Sequence, residues 1–303
     1  MEVNSSKAEH IPVLARTLVE QINLPRDGVM VDATIGQGGH SLLFGKTLGP
    51  DGVIIALDVD KKSIQGAQIR LKDLACKVIF INGNFSEIGE LVREQGVEKV
   101  DFILADLGLC SGQLADAEIG LSFQTDMPLD MRIDKRIKSS AADIVNKADQ
   151  KSLADLIYKF GEERGSRRIA RFIVRERQGR PIATTGQLAA IVCRALGQPG
   201  RRRKSRIHPA TRTFQALRIA VNNELENLER LLVSASGLLA KKGRIAVISY
   251  HSLEDRLVKS NFKANEQAGT YKIITKKPIV PSREEIGENQ RARSAKLRVA
   301  ERQ

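Results

Sequence analysis

The sequence predicts an α/β protein: a mostly parallel sheet with helices on both faces, interrupted by an inserted helical domain. Three observations lead there. Four apolar, β-branched stretches lie in the first third of the chain, each followed by a turn and a segment of helical periodicity. From about Leu114 the strand signal stops and only helical spacing continues. A strong strand pattern then returns at Gly243–Tyr250. Repeated β/α units of this kind bury a parallel sheet between helical layers. The reading divides the 303 residues into a first core segment, 1–113, a helical insertion, 114–207, and a second core segment, 208–303.

The first unit opens with Val29-Met30-Val31-Asp32, breaks at Gly36, Gly38 and Gly39, and continues in helical spacing through Leu42, Leu43, Phe44 and Leu48. Val53–Asp58 is a second strand, and Lys61–Leu74 is a helix with Ile64, Ala67, Leu71 and Leu74 on one face. Lys77–Asn82 is a third strand, after which Ser86 is placed to cap a helix carrying Leu91 and Val92 inward. Val100–Asp106 is the fourth. Within the insertion, helices are expected near Ala141–Asn146, Leu153–Phe160, Ser166–Gln178 and Gln187–Ala195. A long helix, Thr213–Leu239, leads back to the sheet, and Tyr271–Thr275 and Ala295–Ala300 supply closing strands. Ser252 with Asp255 three residues on has the pattern of a capping box after the fifth strand.

The glycine loop is the stretch with the clearest chemical content. Glycine lets the backbone turn sharply and a ligand approach without a Cβ in the way. The helix that follows presents unpaired N–H groups at its start. About twenty residues further on, the second strand ends on Asp58, a carboxylate placed to take both hydroxyls of a ribose. Loop, helix and acidic strand end together predict a nucleoside-containing cofactor. In open sheets ligands bind beyond the carboxyl ends of the strands, where Gly36–His40, Asp58, Phe85 and Asp106 all fall.

Composition bounds the rest. The chain is 42% hydrophobic and 28% charged, as in ordinary globular proteins, and no apolar run is long enough to span a membrane. The first nine residues are polar and lack the apolar segment of a secretory signal. Three scattered cysteines, Cys76, Cys110 and Cys193, read as reduced thiols of a cytoplasmic protein. Four scattered histidines give no metal-ligand spacing, so no metal is expected.

A net charge of +13 points to a polyanionic partner. Arg164, Arg168, Arg171 and Arg175 recur four, three and four apart, one helix face, while Ile169, Phe172 and Ile173 point to a core. Arg201, Arg202 and Arg203 begin a second basic run with no hydrophobic content to fold it. Neither run carries a base-reading pattern, so both suit contact with the phosphate backbone.

Several ordered motifs carry a resemblance. They are His10-Ile11-Pro12-Val13-Leu14, Gly38-Gly39-His40-Ser41, Asp106-Leu107-Gly108, Pro128-Leu129-Asp130-Met131-Arg132 and Gly161-Glu162-Glu163-Arg164. His208-Pro209-Ala210-Thr211-Arg212-Thr213-Phe214-Gln215, Ser249–Arg256 and Arg291–Arg298 complete the set. In these the sequence resembles the ribosomal RNA small subunit methyltransferase H family nearly end to end. The resemblance implies a class I S-adenosylmethionine methyltransferase core with a helical RNA-recognition insertion. It implies methylation of the exocyclic N4 amine of a cytosine in the decoding region of 16S rRNA, hence the small ribosomal subunit as partner. Cofactor contacts of that family correspond here to Gly38, Gly39, His40, Asp58, Phe85, Asp106 and Gln113. One departure stands out: the family commonly has Ser-Ser-Pro-Gln where this chain has Cys110-Ser111-Gly112-Gln113. A homodimer is among the oligomeric states the sequence allows.

Methyl transfer from a sulfonium needs no metal and no covalent enzyme intermediate, so catalysis is mostly positioning. Asp106 is placed for the cofactor and for the amine, and Tyr250, or Phe123 in the insertion, is the aromatic expected to stack on a flipped cytosine. Two other functions compete. A nicotinamide-dependent oxidoreductase would also use a glycine loop, but the spacing here is not G-x-G-x-x-G. A non-catalytic RNA-binding assembly factor on the same fold is the alternative.

Overall fold

The structure is a computed structural model and describes residues 12–110, 112, 113, 116, 118–197 and 208–303. Contacts divide the chain into two compact units, Met1–Gly108 with Leu225–Gln303, and Leu109–Glu224.

The first unit is a seven-stranded sheet. Its strands are β1 (Val29–Asp32), β2 (Val53–Asp58), β3 (Lys77–Asn82), β4 (Val100–Asp106), β5 (Leu239–Ser249), β6 (Tyr271–Ile273) and β7 (Lys296–Arg302). They lie in the order β3-β2-β1-β4-β5-β7-β6. The first five are parallel to one another; β7 runs antiparallel to β5 and β6. β-branched and aromatic residues drive these strands, and successive side chains bury on opposite faces. Val31, Ile55, Ile103 and Ile245 enter one apolar cluster; Met30, Phe102 and Ala246 enter another. A sheet buried on both faces is what near-continuous apolar strands require. The expected α/β class, parallel sheet and inserted helices are therefore observed.

Four local expectations change. β5 begins at Leu239, earlier than the apolar run: Leu239 pairs with Val100 and Arg244 with Phe102, so residues 240–243 bulge out. Gly243 allows this, because a Cβ there would sit 2.9 Å from the Ala240 carbonyl oxygen. Ser86 caps no helix; Asn84 accepts the Ser86 N–H and starts a 3-10 turn, Phe85–Glu87, that runs into a helix at Ile88–Arg93. The helix Ser252–Gln267 is capped by His251 with Glu254, not by Ser252 with Asp255. A helix at Ala15–Gln21 has no strong sequence signal; the Leu14 N–H preceding it donates to Glu285 Oε1 at 2.6 Å.

The second unit holds helices at Ala141–Lys147, Gln150–Gly161, Ser166–Arg177, Thr185–Ala195 and Thr211–Asn222. Its core includes Leu153, Ile157, Ile169, Ile173, Leu188, Phe214 and Leu217. The unit is longer than the 114–207 expected. The predicted long helix breaks at Asn223, whose φ of 50° is the left-handed cap that Asn tolerates. Thr211–Asn222 therefore packs with the insertion, while Glu224–Leu238 starts afresh. Asn222 fastens this end: its amide donates to Met131 O and Arg218 O at 2.8 and 2.9 Å and accepts from Ile133 N–H at 2.9 Å.

Candidate active site

The carboxyl ends of the parallel strands bring the polar residues of the first unit together. The order β3-β2-β1-β4-β5 reverses direction at β1 and β4, the switch point where open sheets leave a crevice. Register aligns the ends: Asp58 pairs with Asn82, and Asp106 with Ile248, two residues before Tyr250. β1 and β4 are tied beyond the ladder, since the Asp106 N–H donates to Thr34 Oγ1 at 2.7 Å.

Between β1 and the helix Gly39–Gly45 the loop turns through Gly36 (φ 49°) and Gly38 (φ 74°), left-handed values that favour glycine. A Cβ on Gly38 would also sit 3.3 Å from the Ala67 Cβ, and one on Gly39 2.9 Å from Pro12 Cγ. Both glycines thus let neighbouring elements close on the loop. Asp58 holds the loop from the next strand: its Oδ2 accepts from Gly36 N–H and its Oδ1 from Asp60 N–H, each at 2.9 Å. Asp60, not Asp58, caps the following helix. Burial pushes the Asp58 carboxyl up to about 6 against the pull of these two N–H groups. A carboxylate has about four acceptor positions, so each oxygen keeps one for a ligand hydroxyl. Phe85 stands beside the end of β3, half-buried against the core.

Asp106 closes the crevice. Its Oδ1 accepts from Gly108 N–H at 3.0 Å, and its Oδ2 lies 3.8 Å from His40 Nδ1. The Tyr250 hydroxyl is hydrogen-bonded to Asp106; burial and then the nearby carboxylate push this phenol well above its ordinary value, so it stays an O–H donor. Tyr250 is itself fixed, its backbone N–H donating to Glu254 Oε2 at 2.8 Å. His40 is buried, and its Nε2 meets the Val13 carbonyl at 2.9 Å. Beneath it Asp32, also buried, accepts from Ser41 Oγ at 2.7 Å and Thr34 N–H at 3.2 Å. Burial pushes the Asp32 carboxyl up.

Sequence reasoning missed Asp32, Thr34 and Glu285 as supports of this site. Asp32 and Thr34 stand inside the stretch read as strand and loop, so their position was visible though their partners were not.

In the second unit, Gln113 is buried and its Oε1 accepts from Cys110 N–H at 3.1 Å, while its own N–H meets Cys110 Sγ at 3.4 Å. The thiol thus takes a backbone contact in the loop that departs from the family pattern. Phe123 is already occupied, with His208 at 4.7 Å and Phe214 at 4.8 Å between ring centroids. Arg168, Arg171 and Arg175 lie exposed on the helix Ser166–Arg177, with Ile169 and Ile173 buried opposite, as expected. Arg164 is also exposed but precedes the helix, whose N-cap is Gly165, so the expected face holds three of the four. Arg201, Arg202, Arg203 and Ser111 lie outside the described residues.

Comparison with known proteins decides the family. The family model described as MraW methylase family matches residues 7–303. The chain belongs to the MraW methylase family. Relatives in it include a protein of Acidobacterium capsulatum, 48% identical over 302 residues, covering 97% of this chain and 99% of its own length. One from Clostridioides difficile is 44% identical over 307 residues, covering 96% and 98%. Both are named Ribosomal RNA small subunit methyltransferase H. The cofactor of such an enzyme is S-adenosylmethionine, and the crevice fits it. The glycine loop turns without side chains at Gly36, Gly38 and Gly39, Asp58 offers acceptors for ribose hydroxyls, and half-buried Phe85 offers an apolar wall at the adjoining strand end. Among the described residues no helix is long and apolar enough to cross a membrane.

Proposed function

We propose that this chain transfers a methyl group from S-adenosylmethionine to the exocyclic N4 amine of a cytosine in the decoding region of 16S rRNA. The observation that carries the reading is the Asp106 cluster, set at the switch point of a chain with 42–48% identity to its relatives over nearly its whole length. Gly38, Gly39, His40, Asp58, Phe85 and Gln113 are assigned to the cofactor, and Asp106 to both cofactor and amine.

The N4 lone pair is delocalised into the cytosine ring, so it must be turned toward the methyl group. A carboxylate accepting the amine N–H does this and then takes the proton. Asp106, with one oxygen held by Gly108 N–H, has a fixed direction for that contact. Tyr250 donates to the same carboxylate, which supports a role in aiming Asp106 beside its assignment as the stacking aromatic. Arg164, Arg168, Arg171 and Arg175 are assigned to RNA phosphates, with Arg201, Arg202 and Arg203 beyond them in sequence. The substrate is taken to be RNA within the small subunit, in the cytoplasm, and a homodimer is compatible with this scheme.

The test is transfer of labelled methyl from S-adenosylmethionine to unmodified small subunits, followed by digestion and identification of the nucleoside. Label on cytosine N4, lost in Asp106→Ala, is the expected result. Label on another atom overturns the substrate; cofactor binding without any label favours the assembly-factor alternative.

A further inference from the structure

We propose that His40 is the second station for the proton released from the cytosine amine, receiving it from Asp106 through Nδ1. The inference rests on the methyltransferase reading above and adds a role for a side chain assigned so far only to the cofactor loop.

The tautomer of His40 follows from its partners. A carbonyl oxygen only accepts, so the 2.9 Å contact with Val13 O requires the proton on Nε2. Neutral His40 therefore turns a bare Nδ1 toward Asp106 Oδ2, 3.8 Å away. Two acceptors facing each other in a buried pocket are brought to a good hydrogen bond by one added proton. An approach of less than 1 Å would make that bond, within the reach of small side-chain adjustments. Acidic side chains stand around the ring. The Asp32 carboxyl on β1 interacts electrostatically with His40, and Asp106 faces the ring from β4. The Tyr250 phenol after β5 is hydrogen-bonded to Asp106, with Glu254 and Glu285 as further negative neighbours of that phenol. Ser41, on His40's own helix, donates to Asp32.

The step balances as follows. The amine lone pair forms the N–C bond to the methyl carbon as the C–S bond breaks, and that electron pair stays on sulfur. The amine, now positively charged, gives one N–H proton to Asp106, which passes it to His40 Nδ1. The imidazolium later returns it to solvent, and Asp106 is again an acceptor. His40 acts through Asp106 and is a positioning and relay residue.

The test uses the full chain, unmodified small subunits and His40→Gln, which keeps an N–H donor for the Val13 carbonyl but cannot take up a proton. At saturating cofactor, where any change in cofactor affinity no longer limits the rate, kcat is expected at least about tenfold lower with KM for subunits unchanged, a general acid–base effect. The acid limb of the kcat profile, which in wild type reports blockage of the relay, is expected to shift to lower pH. An unshifted limb with wild-type kcat overturns the relay, as does a loss of rate that saturating cofactor fully restores. Nitrogen-15 spectra of histidine-labelled wild-type protein read the tautomer without any variant: a proton on Nδ1 of neutral His40 also overturns the proposal. Absence of methyl transfer by wild type would instead sink the underlying function, leaving the tautomer result to stand on its own.

Discussion

The ring of Tyr250 lies over Gly108, so that a Cβ on the glycine would come within 2.7 Å of Tyr250 Cζ and 2.9 Å of its hydroxyl oxygen. The absence of a side chain at 108 is what lets the phenol reach Asp106. Gly108→Ala is expected to push the ring away and lower kcat by about tenfold or more, a loss typical of misplaced catalytic groups. Tyr250→Phe, which keeps the ring and removes the O–H, separates the two roles: a kcat near wild type would leave only packing or stacking. Single-turnover transfer rates and cofactor Kd of both variants check this.

The Asp58 carboxyl is held up at about 6, above an ordinary Asp value near 3.9. The folded protein therefore binds more protons than the unfolded chain between these values, and stability falls as pH rises through about 4 to about 6. The change amounts to at most about 3 kcal/mol by proton linkage. If Asp58 takes the ribose as proposed, the hydroxyls donate to its ionised form, so cofactor affinity is expected to run the other way and weaken as pH falls below about 6. Asp58→Asn is expected to flatten both dependences and to weaken binding at neutral pH. Calorimetry at two pH values, with denaturant unfolding beside it, measures each; a pH-independent Kd in wild type would remove Asp58 from the ribose.

Much of this was legible because strands in a parallel sheet announce themselves. Val53–Asp58, Lys77–Asn82 and Val100–Asp106 are predominantly apolar runs ending on polar residues, and those ends are the crevice. Residues whose meaning depends on distant partners stayed hidden. His251 and Glu254 can be read as a helix start, but not the hydrogen bond by which Glu254 also holds the Tyr250 N–H. Asn223 is a single position in a helical pattern, and only its left-handed φ separates two helices. Glu285 reaches Leu14 across 271 residues of sequence, a contact no local pattern encodes.

Arg168, Arg171 and Arg175 project from one exposed helix face over a buried row of Ile169 and Ile173. Replacing the three by Ala should leave stability within about 0.5 kcal/mol, as is usual for exposed sites. RNA affinity should fall at low salt, and the slope of log K against log salt should shrink by about 2, at about 0.7 per single-stranded phosphate contact. Filter binding over a salt series reads the slope. An unchanged slope would move the RNA surface off this helix.

Asn222 offers a test of what holds the insertion's far end. Its buried amide spends its donors on the carbonyls of Met131 and Arg218 and its oxygen on the Ile133 N–H. Met131 has a φ of 65°, a strained value for a side chain of that size, and the amide contacts are what fix the loop around it. Asn222→Ala removes all three bonds and strands a buried carbonyl and N–H, at a cost of about 2–3 kcal/mol. Asn222→Asp keeps the acceptor for Ile133 but sets a carboxylate against two carbonyl oxygens, and should cost at least as much at neutral pH. That extra loss should shrink in acid, where the protonated carboxyl can donate again. Denaturant midpoints of the two variants at two pH values decide it: a loss in Asn222→Ala with none in the isosteric Asn222→Asp at either pH would mean that the amide's hydrogen bonds contribute little and that its packing volume carries the effect.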